Sequence, residues 1–227
     1  MQLEITETKV LPATGPEVHV ICGCASVSSS RADFAVEKCT ELGASSFRPL
    51  LSHRSPSLGG VTLAALDSQP ANPAPPDSCG LLNIDDLSGR QARWHRVAVA
   101  ALKQSLRVHA MHVGAPLTVQ SLLAEVQQPG TVAFLAAAGG DAALQAFARA
   151  RAHAGEAWLA TADSTRPPGG ERERVLLIVG PEGDLTEGEL AAVLEVGGTA
   201  VGLGPRRLRV ETAAVALLSA FMLSSEL

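Results

Sequence analysis

The stretch LIVGPEGDLTEGEL at residues 177–190 decides the fold of this chain. Its first three residues are the end of an apolar run, residues 175–179, which is typical of a strand buried on both faces of a parallel sheet. A Gly-Pro-Glu-Gly turn follows, and its glycines let the backbone bend sharply and approach a ligand closely. Thr186 and Glu189 have the spacing of a capping box, which predicts a helix over 187–196. Because open α/β sheets bind ligands just beyond the carboxyl ends of such strands, the turn is a candidate ligand site.

A second glycine-rich loop, GLGPRRLRVET, occupies residues 202–212. It places Arg206, Arg207 and Arg209 within four positions of a chain whose net charge is −5. Guanidinium groups bind phosphate well, so the loop favours a small ligand beside phosphate. Each loop has a second interpretation: a glycine- and proline-containing segment is often an ordinary turn, and three arginines in a loop are often a solvated surface. The dinucleotide fingerprint fails at its third glycine, and the sequence contains no Walker A motif.

Strand and helix patterns alternate along the chain, which predicts an α/β fold with a parallel sheet. The predicted strands are 18–22, Ser46–Leu51, 131–137, 156–160, 175–179 and 200–203. The predicted helices are one that begins at Ser30 and ends at Gly43, then 91–107, 141–152, 187–196 and 211–223. A Pro- and Ser-rich stretch at about 68–80 predicts a surface insertion rather than a domain boundary.

Composition excludes several classes of protein. The chain has 227 residues, 46% of them hydrophobic and 18% charged, which is enough to bury a core. It has no apolar run long enough for a membrane-spanning helix. Aromatic residues make up 3% and tyrosine is absent, which argues against a base-stacking platform. The four cysteines include no C-x-x-C pair, so the sequence predicts no metal site. The N-terminal residues show no leader pattern, which predicts a cytoplasmic protein; in a eukaryote the alternative is the chloroplast or the mitochondrion.

Four segments of the chain resemble the ribosomal RNA small-subunit methyltransferase E family of the SPOUT superfamily. Two of them are EKCTELGASSFRPLLSHRS at 37–55 and RWHRVAVAALKQSLR at 93–107. The other two are the glycine-rich segments, where the matching residues are Gly180, Pro181, Glu182, Gly183, Thr186 and Glu189, then Leu203, Gly204, Arg206, Leu208, Arg209, Glu211, Thr212 and Ala213. The segments occur in the family's order, and the resemblance covers about residues 18–227.

The resemblance implies a C-terminal trefoil knot, a homodimer, and S-adenosylmethionine held by three loops at 135–140, 180–184 and 203–208. The residues implied to bind this cofactor are Leu135, Ala136, Gly180, Glu182, Gly183, Leu203, Gly204 and Leu208. Asp184 stands where the family usually has a second glycine. Aspartate tolerates the left-handed backbone conformation that glycine allows, so the turn remains possible. The loop at 136–140 lacks the Pro-Glu pair often seen in the family.

The implied reaction is methylation of N3 of a uridine in small-subunit (16S-type) ribosomal RNA. Loss of the N3 proton leaves negative charge on the uracil, and a nearby cation stabilises that charge as an oxyanion hole does. Arg209 is the first candidate for this role and Arg206 the second. Glu211 either holds an arginine in place or complements the dipole of the last helix. No general base is evident, so bulk water is the expected proton acceptor.

Three residues are candidates for contact with the RNA substrate: Arg54, Gln104 and Arg107. Arg54 either binds a phosphate or caps the end of a strand. Gln104 and Arg107 match a family segment that is expected to line the substrate cleft. Their alternative is a surface position near the end of a helix.

The resemblance also sets the expected domain organisation. Residues 1–17 are predicted to be the end of an N-terminal PUA-like barrel that is otherwise missing, and residues 18–227 are the methyltransferase domain. The missing barrel favours an alternative function, a truncated or catalytically idle knotted protein that binds cofactor or a ribosomal partner without turnover. Retention of Arg209, Glu211 and both glycine loops favours the enzyme.

Overall fold

The computed structural model describes residues 15–24, 29–58, 61–67, 89–154 and 173–224. The predicted strand at 156–160, the Pro-rich stretch at about 68–80 and residues 1–14 lie outside this part of the chain. The strands are β1 (Glu17–Cys22), β2 (Ser46–Leu51), β3 (Ser57–Leu58), β4 (Val61–Thr62), β5 (His112–Val113), β6 (Leu117–Thr118), β7 (Thr131–Ala142), β8 (Arg174–Val179) and β9 (Thr199–Gly202). The helices are α1 (Ser29–Glu41), α2 (Leu63–Asp67), α3 (Gly89–Gln104), α4 (Val119–Val126), α5 (Ala143–Ala154), α6 (Glu187–Glu195) and α7 (Val210–Leu223).

The main sheet is parallel, as the alternating pattern predicts. Its order is β5-β2-β1-β8-β7-β9, and β6 pairs with β2 beyond β5. The short strands β3 and β4 form a separate antiparallel pair. Because neighbouring strands run in the same direction, the loops after β1, β2, β7 and β8 meet at one edge of the sheet. We call this the carboxyl edge.

Helices cover both faces of the sheet, which explains why the central strand β8 is apolar from Val175 to Val179. Along β8, Leu177 faces the layer of α1, α3, α5 and α7, whereas Leu176 and Ile178 face α4 and α6. The first layer contains the aromatic core, in which Phe134, Phe147 and Phe221 make edge-to-face and tilted contacts. No helix in the described ranges is long and apolar enough to cross a membrane.

The largest departure from the predicted elements lies in β7. The strand was expected to end at 137, but it continues to Ala142, and α5 begins at Ala143 rather than at 141. Between Ala136 and Asp141 the pairing with β9 shifts in register, so the predicted loop at 135–140 is an irregular part of a strand. A Cβ on Gly140 would lie 2.7 Å from the backbone of Ala200, so only glycine allows this pairing.

The start of α1 and the end of α3 also differ from the predicted boundaries. The helix α1 begins at Ser29, so Ser30 lies inside it, and Asp33 accepts hydrogen bonds from Arg93 instead of closing a capping box. The helix α3 ends at Gln104 because Leu106 takes a left-handed conformation with φ 56°. The segment around Arg107 is therefore not helical.

The C-terminal helix returns to the centre of the molecule. The strand β9 lies at the outer edge of the sheet, yet α7 packs against α1, α5, β8 and β1. Leu217 and Leu218 of α7 are fully buried. The residues between β9 and α7 therefore cross the carboxyl edge of β7 and β8, where the candidate site lies.

Candidate functional site

A cavity of about 170 Å³ opens at the carboxyl edge between the end of β7, the loop after β8 and the start of α6. Its lining is mostly apolar side chains and backbone, from Leu135, Ala136, Ala137, Ala138, Gly180, Asp184, Leu185, Glu187 and Leu190. Three residues predicted to bind a cofactor, Leu135, Ala136 and Gly180, are among them. The sequence did not single out Leu185 or Leu190, which come from the turn and from the inner face of α6.

The loop at 180–184, which we call the β8 loop, is a tight turn. The backbone N–H of Asp184 donates a 2.8 Å hydrogen bond to the carbonyl oxygen of Pro181. Asp184 adopts a φ of 60°, the left-handed conformation that aspartate tolerates in place of the usual glycine. A Cβ on Gly180 would lie 3.3 Å from the backbone nitrogen of Leu185. The loop therefore keeps its turn geometry despite Asp184, and Gly180 has little room for a side chain.

Arginines from three different elements contact the exposed tip of the β8 loop, Glu182-Gly183. Arg54, in the turn after β2, donates to the carbonyl oxygen of Gly183. Arg207 donates a 2.5 Å hydrogen bond to the carbonyl oxygen of Glu182. The guanidinium of Arg31 in α1 lies 3.7 Å from the Glu182 carboxylate. The tip is thus held by cations on several sides.

The start of α6 is fixed by the predicted capping box. The Thr186 hydroxyl accepts from the backbone N–H of Glu189 at 3.2 Å, and the Glu189 carboxylate accepts from the backbone N–H of Thr186 at 2.8 Å. The same carboxylate accepts a 2.9 Å hydrogen bond from the backbone N–H of His53. Burial alone would raise the pKa of Glu189, but the hydrogen bonds from His53 and Thr186 outweigh burial and lower it.

The loop at 203–209, which we call the arginine loop, passes beside the β8 loop. Leu203 and Leu208 are half-buried and pack against the core, and Gly204 has a φ of 102°. Arg206 and Arg209 are exposed, and the guanidinium of neither makes a hydrogen bond or ion pair with any described residue. Their guanidinium groups are therefore available to a ligand at this edge.

Glu211 pairs with an arginine, but not with one of the arginine loop. It is buried, with 6% of its surface exposed, and one carboxylate oxygen lies 3.8 Å from Arg31. The other oxygen is buried without a hydrogen-bond partner among the described residues. A hydrogen bond to Cys24, burial and the Glu211 charge together raise the pKa of the Cys22 thiol. The interpretation that Glu211 holds an arginine thus fits Arg31 rather than Arg209.

Gln104 and Arg107 lie away from the cavity within this chain. Arg107 donates to the carbonyl oxygens of Thr40 at 2.6 Å and Ala44 at 3.1 Å, at the end of α1. Burial lowers the pKa of this guanidinium. Ala44 precedes β2, so these contacts lie at the opposite edge of the sheet. Gln104 is exposed at the end of α3. The structure does not bring either residue to the other candidates, and their contact with RNA stays a prediction.

Arg31 and His53 are the site residues that the sequence pattern did not identify. Both follow the carboxyl ends of strands, β1 and β2, which is where open sheets place ligand contacts. That rule could have drawn attention to them, although no local motif marks either one. Their partners, Glu182, Glu211 and Glu189, lie more than a hundred positions away in sequence.

A model of the RNA methyltransferase domain family matches residues 82–222. The ribosomal RNA small subunit methyltransferase E of Bacillus subtilis (strain 168) is 28% identical over 197 residues, which are 86% of this chain and 62% of that protein. The protein of the same name from Mycobacterium bovis is 33% identical over 128 residues, 56% of this chain and 42% of that protein. The chain thus spans about three fifths or less of the length of these relatives.

Solved structures share the fold. The ribosomal RNA small subunit methyltransferase E from Neisseria gonorrhoeae, bound to S-adenosyl methionine, superimposes with a TM-score of 0.60 at 23% identity, covering 93% of this chain and 68% of that one. A methyltransferase from Legionella pneumophila, in complex with its cofactor, gives 0.62 at 20% identity, covering 95% and 69%. At these identities the likeness concerns the arrangement of strands and helices.

Proposed function

We propose that this chain, which belongs to the RNA methyltransferase family, methylates N3 of a uridine in small-subunit (16S-type) ribosomal RNA with S-adenosylmethionine as the methyl donor. The family match covers more than half of the chain, and the relatives named ribosomal RNA small subunit methyltransferase E confirm the resemblance seen in the sequence. The narrower substrate, uridine N3, comes from that resemblance.

The observation that carries this proposal is the position of the arginine loop against the wall of the cavity. Gly180 and Asp184 line the cavity, and Arg207 binds the carbonyl of Glu182 between them. An apolar pocket thus lies beside exposed guanidinium groups. This combination suits a methyl donor next to a polyanionic RNA, because arginine recognises phosphate and the pocket excludes water.

The residues present fit S-adenosylmethionine. Leu135, Ala136 and Gly180 would hold it within the cavity, and the tip of the β8 loop would close one side. Leu203, Gly204 and Leu208 would hold it from the arginine loop. Small side chains and glycines expose backbone N–H and C=O groups, which can recognise an adenine without charge. When bound, the group supplies an electrophilic methyl on a sulfonium.

The chain's own contribution to the reaction is positioning and charge stabilisation. In-line transfer requires the uracil N3 to be held against the methyl donor, and correct orientation supplies much of the rate. Arg209, which is exposed at the start of α7, would stabilise the negative charge that develops on the uracil as the N3 proton leaves to water. Arg206 would assist from the same loop. Glu211 acts at a distance, by holding Arg31 beside Glu182.

The trefoil knot and the homodimer implied by the resemblance are part of this proposal. The path of the arginine loop supports the knot, because it carries the chain from the edge strand β9 back to α7 in the centre. In the related family the active site is completed near the subunit interface. A homodimer of this chain would therefore be the active form.

Methyl transfer to small-subunit ribosomal RNA tests the proposal directly. The protein is incubated with labelled S-adenosylmethionine and small subunits or their RNA, and the digested nucleosides are analysed by mass spectrometry. We expect 3-methyluridine. Methylation of a ribose oxygen or of another base would contradict the proposed specificity. Cofactor binding without any methylated product would support the alternative, a knotted binding protein without turnover.

A further inference from the structure

The turn between β2 and β3 is built to present two side chains to the candidate site. Ser52 and Ser55 close the turn through paired backbone hydrogen bonds of 3.2 and 3.0 Å. Both serines are buried, whereas His53 and Arg54 between them are exposed. A turn fixed at its base in this way holds its tip in a defined place.

This turn makes hydrogen bonds to the chain on both sides of Asp184, the residue of the β8 loop that has the left-handed conformation. Arg54 donates to the carbonyl oxygen of Gly183, which precedes Asp184. His53 donates its backbone N–H to Glu189, in the first turn of the helix that follows. The two contacts thus span the part of the chain where the backbone takes its unusual conformation.

The tip of the β8 loop depends on such outside contacts. Glu182 and Gly183 are exposed, and the backbone hydrogen bond within the turn joins Asp184 to Pro181 and leaves their carbonyl groups unused. A Cβ on Gly183 would lie 3.2 Å from Cδ of Arg54, so the arginine side chain also packs along the loop. A charged donor on a carbonyl forms a stronger hydrogen bond than a neutral one does.

We propose that Arg54 is a positioning residue that holds the β8 loop in the shape required by S-adenosylmethionine, and that it is not an RNA phosphate ligand. Its guanidinium is bonded to Gly183, next to the loop residues that line the cavity, so cofactor affinity depends on it. The identity of the ligand in this inference rests on the proposed function. The claim that Arg54 holds the β8 loop in place is independent of the proposed function.

The test compares Arg54→Ala with Arg96→Ala, which removes an exposed arginine of α3 whose side chain makes no hydrogen bond or ion pair with any described residue. Calorimetry should show S-adenosylmethionine binding weakened about tenfold in Arg54→Ala, the lower end of what a hydrogen bond to a charged group supports. It should be unchanged in Arg96→Ala. Filter binding of small-subunit ribosomal RNA should give the wild-type salt dependence for both variants.

Amide hydrogen exchange in the cofactor-free protein provides a readout that needs no ligand. We expect faster exchange at Asp184 and Leu185 in Arg54→Ala and the wild-type rate in Arg96→Ala. If the wild type bound no S-adenosylmethionine, the proposed function would fail, and the exchange rates would still decide whether Arg54 holds the loop. Arg54→Lys keeps the charge and gives a second folded variant, in which cofactor binding should be weakened without any change in salt dependence.

One pattern of results would overturn the inference. In that pattern Arg54→Ala binds S-adenosylmethionine and exchanges its loop amides as the wild type does. Its RNA binding weakens, and the slope of log K against log salt falls by about 0.7 to 0.9, the loss of one phosphate contact. Arg54 would then be an RNA ligand.

Discussion

The backbone N–H of His53 donates a 2.9 Å hydrogen bond to the carboxylate of Glu189, although the two residues are 136 positions apart in the sequence. The same carboxylate closes the capping box of α6 with Thr186. Glu189 therefore joins the turn after β2 to the helix that borders the cavity. Because the acceptor must be ionised to receive all these hydrogen bonds, the connection depends on pH.

Acid should weaken this connection. The pKa of Glu189 is lower in the folded chain than in the unfolded chain, so its contribution to stability is present above the ordinary glutamate value, about 4.3, and is lost as pH falls through the folded pKa. Glu189→Gln keeps only one acceptor oxygen where the carboxylate uses both, so it should lower the unfolding free energy at neutral pH by about 1 kcal/mol, a typical value for one hydrogen bond. Urea denaturation of the wild type and the variant, at neutral pH and below pH ~4, measures the loss of stability and its dependence on pH.

A matched control lies at the other end of the same helix. Glu195 is exposed in the last turn of α6, and Glu195→Gln should change the unfolding free energy by less than about 0.5 kcal/mol at either pH. The difference between Glu189→Gln and the wild type should shrink in acid. A difference that stayed constant with pH would show that the ionised carboxylate is not what stabilises the fold. The carboxylate of Glu125 in α4 pairs with Arg48 and Arg174, which lower its pKa despite burial, so these ion pairs should remain as a separate source of acid sensitivity.

Two glycines should be essential for cofactor binding because of the backbone itself. Gly204 has a φ of 102°, which valine cannot adopt without strain, and a Cβ on Gly180 would press on the backbone of Leu185 at 3.3 Å. Gly204→Val and Gly180→Val should each abolish S-adenosylmethionine binding in calorimetry. Gly188→Ala in α6 is the control, since its Cβ would meet nothing within 4 Å and should leave binding intact. Wild-type affinity in either valine variant would contradict the assigned site.

The sequence predicts the elements whose signal is local. The apolar run in β8, the strand β2 and the capping box at Thr186 need only neighbouring residues, and each appears as predicted. The extension of β7 could not be predicted, because it depends on how Gly140 approaches β9 far along the chain. The same holds for Arg107, whose acceptors at the end of α1 have no signal near position 107.

Within the site, the glycines mark the loops, but their neighbours in space remain hidden from a single sequence. Arg31 reads as an ordinary helical arginine until the fold brings Glu182 and Glu211 to it. The sequence therefore locates the ligand loops. It does not determine which arginines are bonded to other parts of the chain and which are available to a ligand. In the structure, Arg54 and Arg207 bind the β8 loop, whereas Arg206 and Arg209 stay available.

The proposed homodimer can be tested on the outer face of α7. The sequence of this helix places small residues beside larger ones, which predicts a two-fold interface formed by Ala213, Ala216, Ala220, Leu217, Phe221 and Ser224. In the structure, however, the two large side chains, Leu217 and Phe221, are buried in the chain's own core. Ala216 and Ser219 remain partly exposed, and Leu223 is 61% exposed. Ala216→Arg should therefore convert the dimer to a monomer in light scattering, because small residues permit close helix approach.

The control for this substitution is Ala148→Arg, which adds the same charge to an exposed position of α5 and should leave the molecular mass unchanged. A wild-type protein that scatters only as a monomer at micromolar concentration would contradict the homodimer. A dimer that survives Ala216→Arg would place the interface on another surface.

Replacing Arg209 tests the chemical step itself. Arg209 precedes α7 and makes no side-chain capping bond, so Arg209→Ala should leave the fold and the cofactor affinity unchanged. If its guanidinium stabilises the uracil anion, the rate of methyl transfer at saturating RNA should fall by about 10²–10³, the range for a lost oxyanion donor. Arg209→Lys should recover part of the rate because the positive charge remains, although the planar pair of donors is lost. Arg206→Ala should reduce the rate less. Equal, small losses in both alanine variants, with weaker RNA binding, would mean that this loop only attracts phosphate and that another group stabilises the charge.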